Sequence, residues 1–259
     1  MVLVAEAVLF GTLIGLLLGL VGGGGSILTV PILVYVIGES VHAATATSLV
    51  IVGLTAAFGA IAHFREDRVD IPVAVVFGAS GIAGAFVGTW ANERASGPLI
   101  LLLFGVLMLV VAARMMVGRR PTPRPGFDRQ PGDGWSVPRT VPLAGVVVGV
   151  MTGFFGVGGG FLIVPALVLA LGLPMKLAVG TSLAVIAINS AAGVAAHLGR
   201  GIDLDLTVAL LFVAGGFVGA TVGGRMAGRV DEARLSRGFA VLVALVGVYL
   251  IVKNGMLLA

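Results

Sequence analysis

Residues 19–63 read GLVGGGGSILTVPILVYVIGESVHAATATSLVIVGLTAAFGAIAH, and residues 153–197 read GFFGVGGGFLIVPALVLALGLPMKLAVGTSLAVIAINSAAGVAAH. Shifted by 134 residues, the first lies on the second without a gap, and 18 of the 45 positions are identical. Apolar sequences share Leu, Val and Ala by chance. They rarely share Gly22/Gly156, Gly24/Gly158, Gly25/Gly159, Pro31/Pro165, Gly38/Gly172, the Thr-Ser-Leu runs at 47–49 and 181–183, Gly59/Gly193 and His63/His197 in one order. The chain is therefore an internal repeat. Beyond the second histidine pair the match slips by one residue and resumes as Gly84-Ala85 on Gly219-Ala220.

Each copy sits in an apolar, charge-poor setting. Of the 259 residues, 58% are hydrophobic and 11% are charged, against roughly 25% charged in a soluble domain. So few charges cannot cover a globule with polar surface, and so much apolar sequence excludes disorder. The 41 glycines follow no G-x-y period, which excludes collagen; glycine is common in membrane helices. The apolar runs are continuous rather than alternating, so the class is an all-α polytopic membrane protein and not a barrel. The net charge of +4 comes from arginines between apolar runs. Retention of cytoplasmic loops explains them better than nucleic acid does. Without cysteine, disulfides, thiolate metal sites and cysteine nucleophiles are excluded. Glu6, with no Lys or Arg before it, makes the N-terminal run a first membrane helix rather than a signal peptide.

The charge-free stretches run about 7–38, 43–62, 71–92, 95–113, 140–172, 177–196, 206–224 and 238–252. The first and fifth are too long for one span, and each is broken by its glycine cluster. The pieces after the breaks, 26–38 and 161–172, would reach only about 18–20 Å as helices, against a hydrocarbon core of ~30 Å. The expectation is eight full spans, or ten membrane segments if the short pieces cross. Residues 118–139, with five prolines and five arginines, form a flexible connector. It divides a first transmembrane repeat (1–117) from a second (140–259). If the short pieces cross, the halves are inverted and Lys plus Arg divide 13 on the linker side to 3 opposite. If not, the halves are parallel and the division is 10 to 6. The positive-inside rule favours inversion, a cytoplasmic linker and both termini outside. A duplicated, glycine-broken membrane chain points to a secondary transporter.

Glycine allows the backbone to break, and Pro31 and Pro165 help keep the following pieces short. The helix resuming after a break directs free N–H groups and its positive dipole end at the break. Two such ends near the midplane would bind an anion without a buried Lys or Arg, and no proposed span carries one in its middle. Close helix packing is the bland alternative; its improbability at two equivalent clusters favours function. Thr47-Ser48 and Thr181-Ser182 are hydroxyls able to donate to an oxyanion, or to back-bond within their helices. Asn189 and Ser190 fall where the first half has Thr55 and Ala56, an asymmetry that could distinguish substrate ends or join helices. His63 and His197 end their helices and are candidates for gating or proton coupling, or for simple interaction with a helix C-terminus. Gly84/Gly88 and Gly215/Gly219/Gly223 are packing faces. The GxSG run Gly78-Ala79-Ser80-Gly81 fits an intramembrane serine protease, but Ser80 is mid-helix, the histidines are near boundaries, and the position equivalent to Ser80 is Gly215. No HExxH, P-loop or paired intramembrane carboxylate occurs, so an enzyme is not expected.

The runs GLVGGGGSILTVP with HAATATSL, and GFFGVGGGFLIVP with LAVGTSL, resemble the TauE/SafE family of sulfite and organosulfur anion exporters over all but the linker. The resemblance implies export of a small sulfur oxyanion or related carboxylate, such as sulfite, sulfoacetate or thiosulfate, with no cofactor or metal. It implies a site at Gly22, Gly23, Gly24 and Gly25 with Thr47 and Ser48, and at Gly156, Gly158, Gly159 and Gly160 with Thr181 and Ser182. Ser26 stands where the second half has Gly160, so the two half-sites differ; Asn189 joins the set from the residue reading. The expected partners are the oxyanion and the bilayer, with a homo-oligomer open and no nucleic acid. The expected location is a bacterial inner membrane. A passive anion channel is the other reading.

Overall fold

A break needs a residue that tolerates a left-handed backbone, and Gly22 supplies it with φ +74°. A computed structural model describes residues 2–117, 137–155, 160–198, 206–227 and 230–255. Helix α1 (Val2–Val21) ends at this turn, and α2 (Gly24–Ile32) starts after it. Pro31 withdraws one N–H from the ladder of α2, and the chain continues as a π-helical segment, Leu33–Ile37. Gly38, φ +85°, ends that segment. Helix α3 (Val41–Phe64) follows, its N-cap Ser40 accepting from Ala43 N. Then come α4 (Ile71–Asn92), capped by Asp70 on Val73 N, and α5 (Gly97–Val117).

The second half repeats this plan. Its elements are α6 (Thr140–Phe155), α7 (Gly160–Pro165), a π-helical segment (Ala166–Ala170), α8 (Met175–Leu198), α9 (Leu206–Ala227) and α10 (Glu232–Gly255). Gly172, φ +76°, stands where Gly38 stands in the first half. The described residues thus form ten α-helices. Five of them hold apolar stretches long enough to cross a bilayer: Ala43–Phe64, Ile71–Asn92, Gly97–Val117, Met175–Ala195 and Thr207–Ala227. Shorter apolar helices accompany them. The expected short pieces are real, but begin slightly earlier and end in π geometry. The linker 118–136 lies outside the described residues.

Glycine sets the packing. A Cβ on Gly11, Gly15 or Gly19 of α1 would strike the backbone of Phe212, Gly216 and Ala220 on α9. The equivalent glycines of α6, Gly145, Gly149 and Gly153, meet Phe77, Gly81 and Ala85 of α4 in the same way. The two seams match residue for residue at the offsets of the sequence repeat. In both, numbers rise together, so α1 runs parallel to α9 and α6 parallel to α4. Backbones touch directly, as small residues allow between membrane helices.

The central pair, α3 and α8, runs the other way. Gly59 faces Leu183, and its counterpart Gly193 faces Leu49, with nearest Cβ contacts of 3.1 and 3.0 Å. Low numbers on one helix meet high numbers on the other, so these equivalent helices are antiparallel. Gly105 of α5 likewise faces Leu250 and Ile251 of α10, while Gly247 faces Met108 and Leu109. Outward positions such as Leu9, Leu143, Leu210 and Leu245 are more than half exposed, an apolar exterior suited to lipid. The molecule is a multi-pass membrane protein.

Candidate functional site

The starts of α2 and α7 meet inside the helix bundle. A Cβ on Gly160, the first residue of α7, would lie 2.8 Å from Ser26 Oγ and 3.0 Å from Gly23 Cα. A Cβ on Gly22 would lie 2.6 Å from Ser182 Oγ and 2.9 Å from Val164. The starts of α2 and α7 therefore abut each other, and α8 closes one side. Gly25 is packed on Ile14 and Leu18 of α1. Only glycine fits where backbone approaches backbone this closely.

Gly23 is the N-cap of α2 and brings no side-chain acceptor, so the first N–H groups there lack the usual cap. Ser26, fully buried, returns to Gly23 O through both its N (3.2 Å) and its Oγ (2.7 Å). Gly24 is the first residue of α2. Gly156, Gly158 and Gly159 fall outside the described residues.

The Thr-Ser pairs are all buried, but their hydroxyls differ. Ser48 Oγ donates to Thr45 O and Ser182 Oγ to Val179 O, each over one helical turn. Thr181 Oγ1 accepts from Asp70 N at 2.9 Å, tying α8 to the residue that caps α4. Thr47 Oγ1 has no partner among the described residues. The threonine pair is thus equivalent in sequence but unequal in use, and the Asp70–Thr181 bond has no local sequence signal.

Asn189 faces helix α4. It is 2% exposed and packs on α4, where a Cβ on Gly81 would meet its Nδ2 at 2.8 Å. Its counterpart Thr55 packs on Gly216 of α9 at 2.5 Å, and Ser190 on Gly53 at 2.6 Å, by the same measure. Both amide atoms of Asn189, Thr55 Oγ1 and Ser190 Oγ are buried without a hydrogen-bond partner among the described residues. Buried polar groups are ordinarily paired, so these mark a second polar region along α3 and α8. The facing glycines, Gly81 and Gly216, are themselves a repeat pair at offset 135, which was the available signal for it.

His63 is 2% exposed. Its Nε2 lies 3.3 Å from Gly19 O, so the ring braces the last turn of α1 before the break. The side chain of His197 lies outside the described residues. Ser80 Oγ donates to Val76 O and Phe77 O and is packed against Gly145 on the α4–α6 seam. Its hydroxyl serves its own helix.

Chemically, the meeting point offers backbone N–H groups and hydroxyls. Among the described residues the buried polar set holds Ser, Thr, Asn and His, and no Lys, Arg, Asp or Glu. Such a set suits a small anion better than a bare cation, for which it has no carboxylate.

Comparison with known proteins agrees with this architecture. Residues 7–250 match the family described as "Sulfite exporter TauE/SafE". A "Probable membrane transporter protein" of Xylella fastidiosa (strain Temecula1) is 37% identical over 251 residues, covering 94% of this chain and 93% of that protein. The "Probable membrane transporter protein YunE" of Bacillus subtilis (strain 168) is 27% identical, covering 95% of this chain and 97% of its own length. A "Probable membrane transporter protein MJ0441" of Methanocaldococcus jannaschii is 27% identical over 74% of this chain and 71% of its own. No solved structure matches. The chain belongs to the TauE/SafE sulfite exporter family of membrane transporters.

Proposed function

We propose that the protein exports a small sulfur-containing anion, such as sulfite, sulfoacetate or thiosulfate, by alternating access. The substrate binds between the starts of α2 and α7, and the two halves rock about it. The observation that carries this reading is the abutment of Gly160 on Ser26 and Gly23. The start of α2, which has no side-chain cap, meets the start of α7 there, in a core whose described buried side chains carry no fixed charge. Backbone dipoles replace buried cations. Gly22, Gly23, Gly24, Gly25, Ser26, Thr47 and Ser48 form one half-site. Gly156, Gly158, Gly159, Gly160, Thr181 and Ser182 form the other, and Asn189 contributes from the neighbouring polar region.

The halves, 1–117 and 140–259, are inverted repeats joined by a cytoplasmic linker at 118–139, in a bacterial inner membrane. The antiparallel α3–α8 pairing supports the inversion, because one two-fold axis across the bundle relates equivalent helices. A negative-inside potential favours expulsion of an anion by about 2.3 kcal/mol per charge per 100 mV. The protein works as a transporter and not an enzyme.

Gly22→Val and Gly160→Val should each abolish sulfite efflux from cells while leaving the protein in the membrane, because each side chain would fill the meeting point. Normal efflux from both variants would overturn this site. Acceleration of efflux by thiosulfate on the opposite side would mark a carrier, and its absence with non-saturating flux a passive channel.

A further inference from the structure

The arginines at the ends of α3 and α9 enclose more than a loop surface. A cavity of about 220 Å³ opens between them, lined by His63, Arg65, Glu66, Thr221, Gly224 and Arg225. It faces the linker side. Helices α4 and α6 run parallel and both begin there, as the pairing of Gly145 with Phe77 and Ser80 requires.

Its charge is not cancelled locally. Glu66 is engaged by Arg68, with Oε2 2.6 Å from Nη1. Arg65 and Arg225, both exposed, form no ion pair among the described residues. The inner wall is His63, buried to 2%, with Nδ1 lacking any partner among the described residues. Its Nε2 contact with Gly19 O sets the ring between this cavity and the end of α1, three residues before the break at Gly22.

The residues at the equivalent positions of the other half differ from those of the cavity. Positions equivalent to Arg65, Glu66, Thr221 and Arg225 are Gly199, Arg200, Phe86 and Trp90, so one arginine stands where this cavity has a glutamate and none where it has its two arginines. Nearby Arg94 is laid over the Trp90 ring, 3.9 Å from its centroid, with Nη1 bonded to Trp90 O. Topogenic arginines and helix C-terminal cations explain charge on exposed turns. They do not require a buried histidine with a free nitrogen beside it, nor a cavity.

We propose that this cavity is an anion-collecting vestibule, binding a small oxyanion through Arg65 and Arg225 before it passes His63 to the breaks. The proposal rests on the anion-transport reading and adds where the substrate is first held and from which face. A concave basic site with low-dielectric walls concentrates anions by about 10-fold or more.

The absence of cysteine permits a direct test on the full chain in inside-out membrane vesicles. Thr221→Cys is labelled with an anionic sulfonatoethyl methanethiosulfonate and with its cationic trimethylammonium analogue, both rates normalised to a free thiol. The anionic reagent should react at least about fivefold faster. The ratio should fall towards one when Arg65→Gln and Arg225→Gln are added, and sulfate, an oxyanion that does not consume the reagent, should slow the labelling. Ala62→Cys repeats the test should Thr221→Cys fail to accumulate. A ratio at or below one, or a ratio unmoved by the arginine changes, would overturn the vestibule even where sulfite efflux is normal. An intact anionic preference without any efflux would instead overturn the transport reading and leave the vestibule standing.

Discussion

At the scale of single residues, the most informative groups are polar atoms that nothing satisfies. Asn189 is buried with both amide atoms unpaired among the described residues. Leaving a buried polar group unsatisfied costs about 1–3 kcal/mol, a penalty a purely structural role does not justify. Asn189→Leu should therefore unfold at an equal or higher temperature than the parent, since an apolar replacement of similar size removes that penalty. Its sulfite efflux should fall. Lower stability with unchanged efflux would mark Asn189 as helix glue only. The sequence showed that Asn189 was polar, mid-membrane and different from Thr55. It could not show that the side chain faces Gly81, because rotation about α8 depends on which neighbour each face meets.

At the scale of elements, the glycines do two jobs that composition alone cannot separate. Gly22 turns the chain with a left-handed backbone. Gly15 and Gly149 keep α1 on α9 and α6 on α4, where a Cβ would strike the carbonyl groups of Gly216 and Gly81. Gly149→Val and Gly15→Val should each destabilise the purified protein by about 1–3 kcal/mol or more, the usual range for overpacking. Gly238→Ala, which meets nothing within 4 Å, should stay within about 0.5 kcal/mol. Thermal unfolding in detergent measures all three. Equal losses at Gly15 and Gly149 are expected because the two seams are built from equivalent residues. The packing faces Gly84/Gly88 and Gly215/Gly219/Gly223 were legible from four-residue spacing. Their partners were not, since spacing identifies a face without naming what covers it.

At the scale of the whole molecule, an odd number of helices per half and an antiparallel central pair go together. With five crossings in each half, the second begins on the opposite face from the first, and α3 must oppose α8. Cysteines placed on the two faces therefore separate the topologies. Ser96→Cys, between α4 and α5, should be labelled by an impermeant reagent on intact cells, and Asp67→Cys, between α3 and α4, only after the membrane is opened. Labelling of Asp67→Cys from outside would overturn a cytoplasmic linker.

The sequence by itself determined the class, the duplication and the places where the helices break. Apolar length, charge scarcity and the order of Gly, Pro, Thr-Ser and His are local properties, readable one residue at a time. Tertiary structure alone decided that the starts of α2 and α7 touch, that Thr181 ties to Asp70 while Thr47 has no partner among the described residues, and that His63 stands between an arginine-lined cavity and Gly19. Each of these joins residues far apart in the chain, and the geometry comes from helix packing, in which glycine backbones approach to contact and fix the rotation of every neighbour.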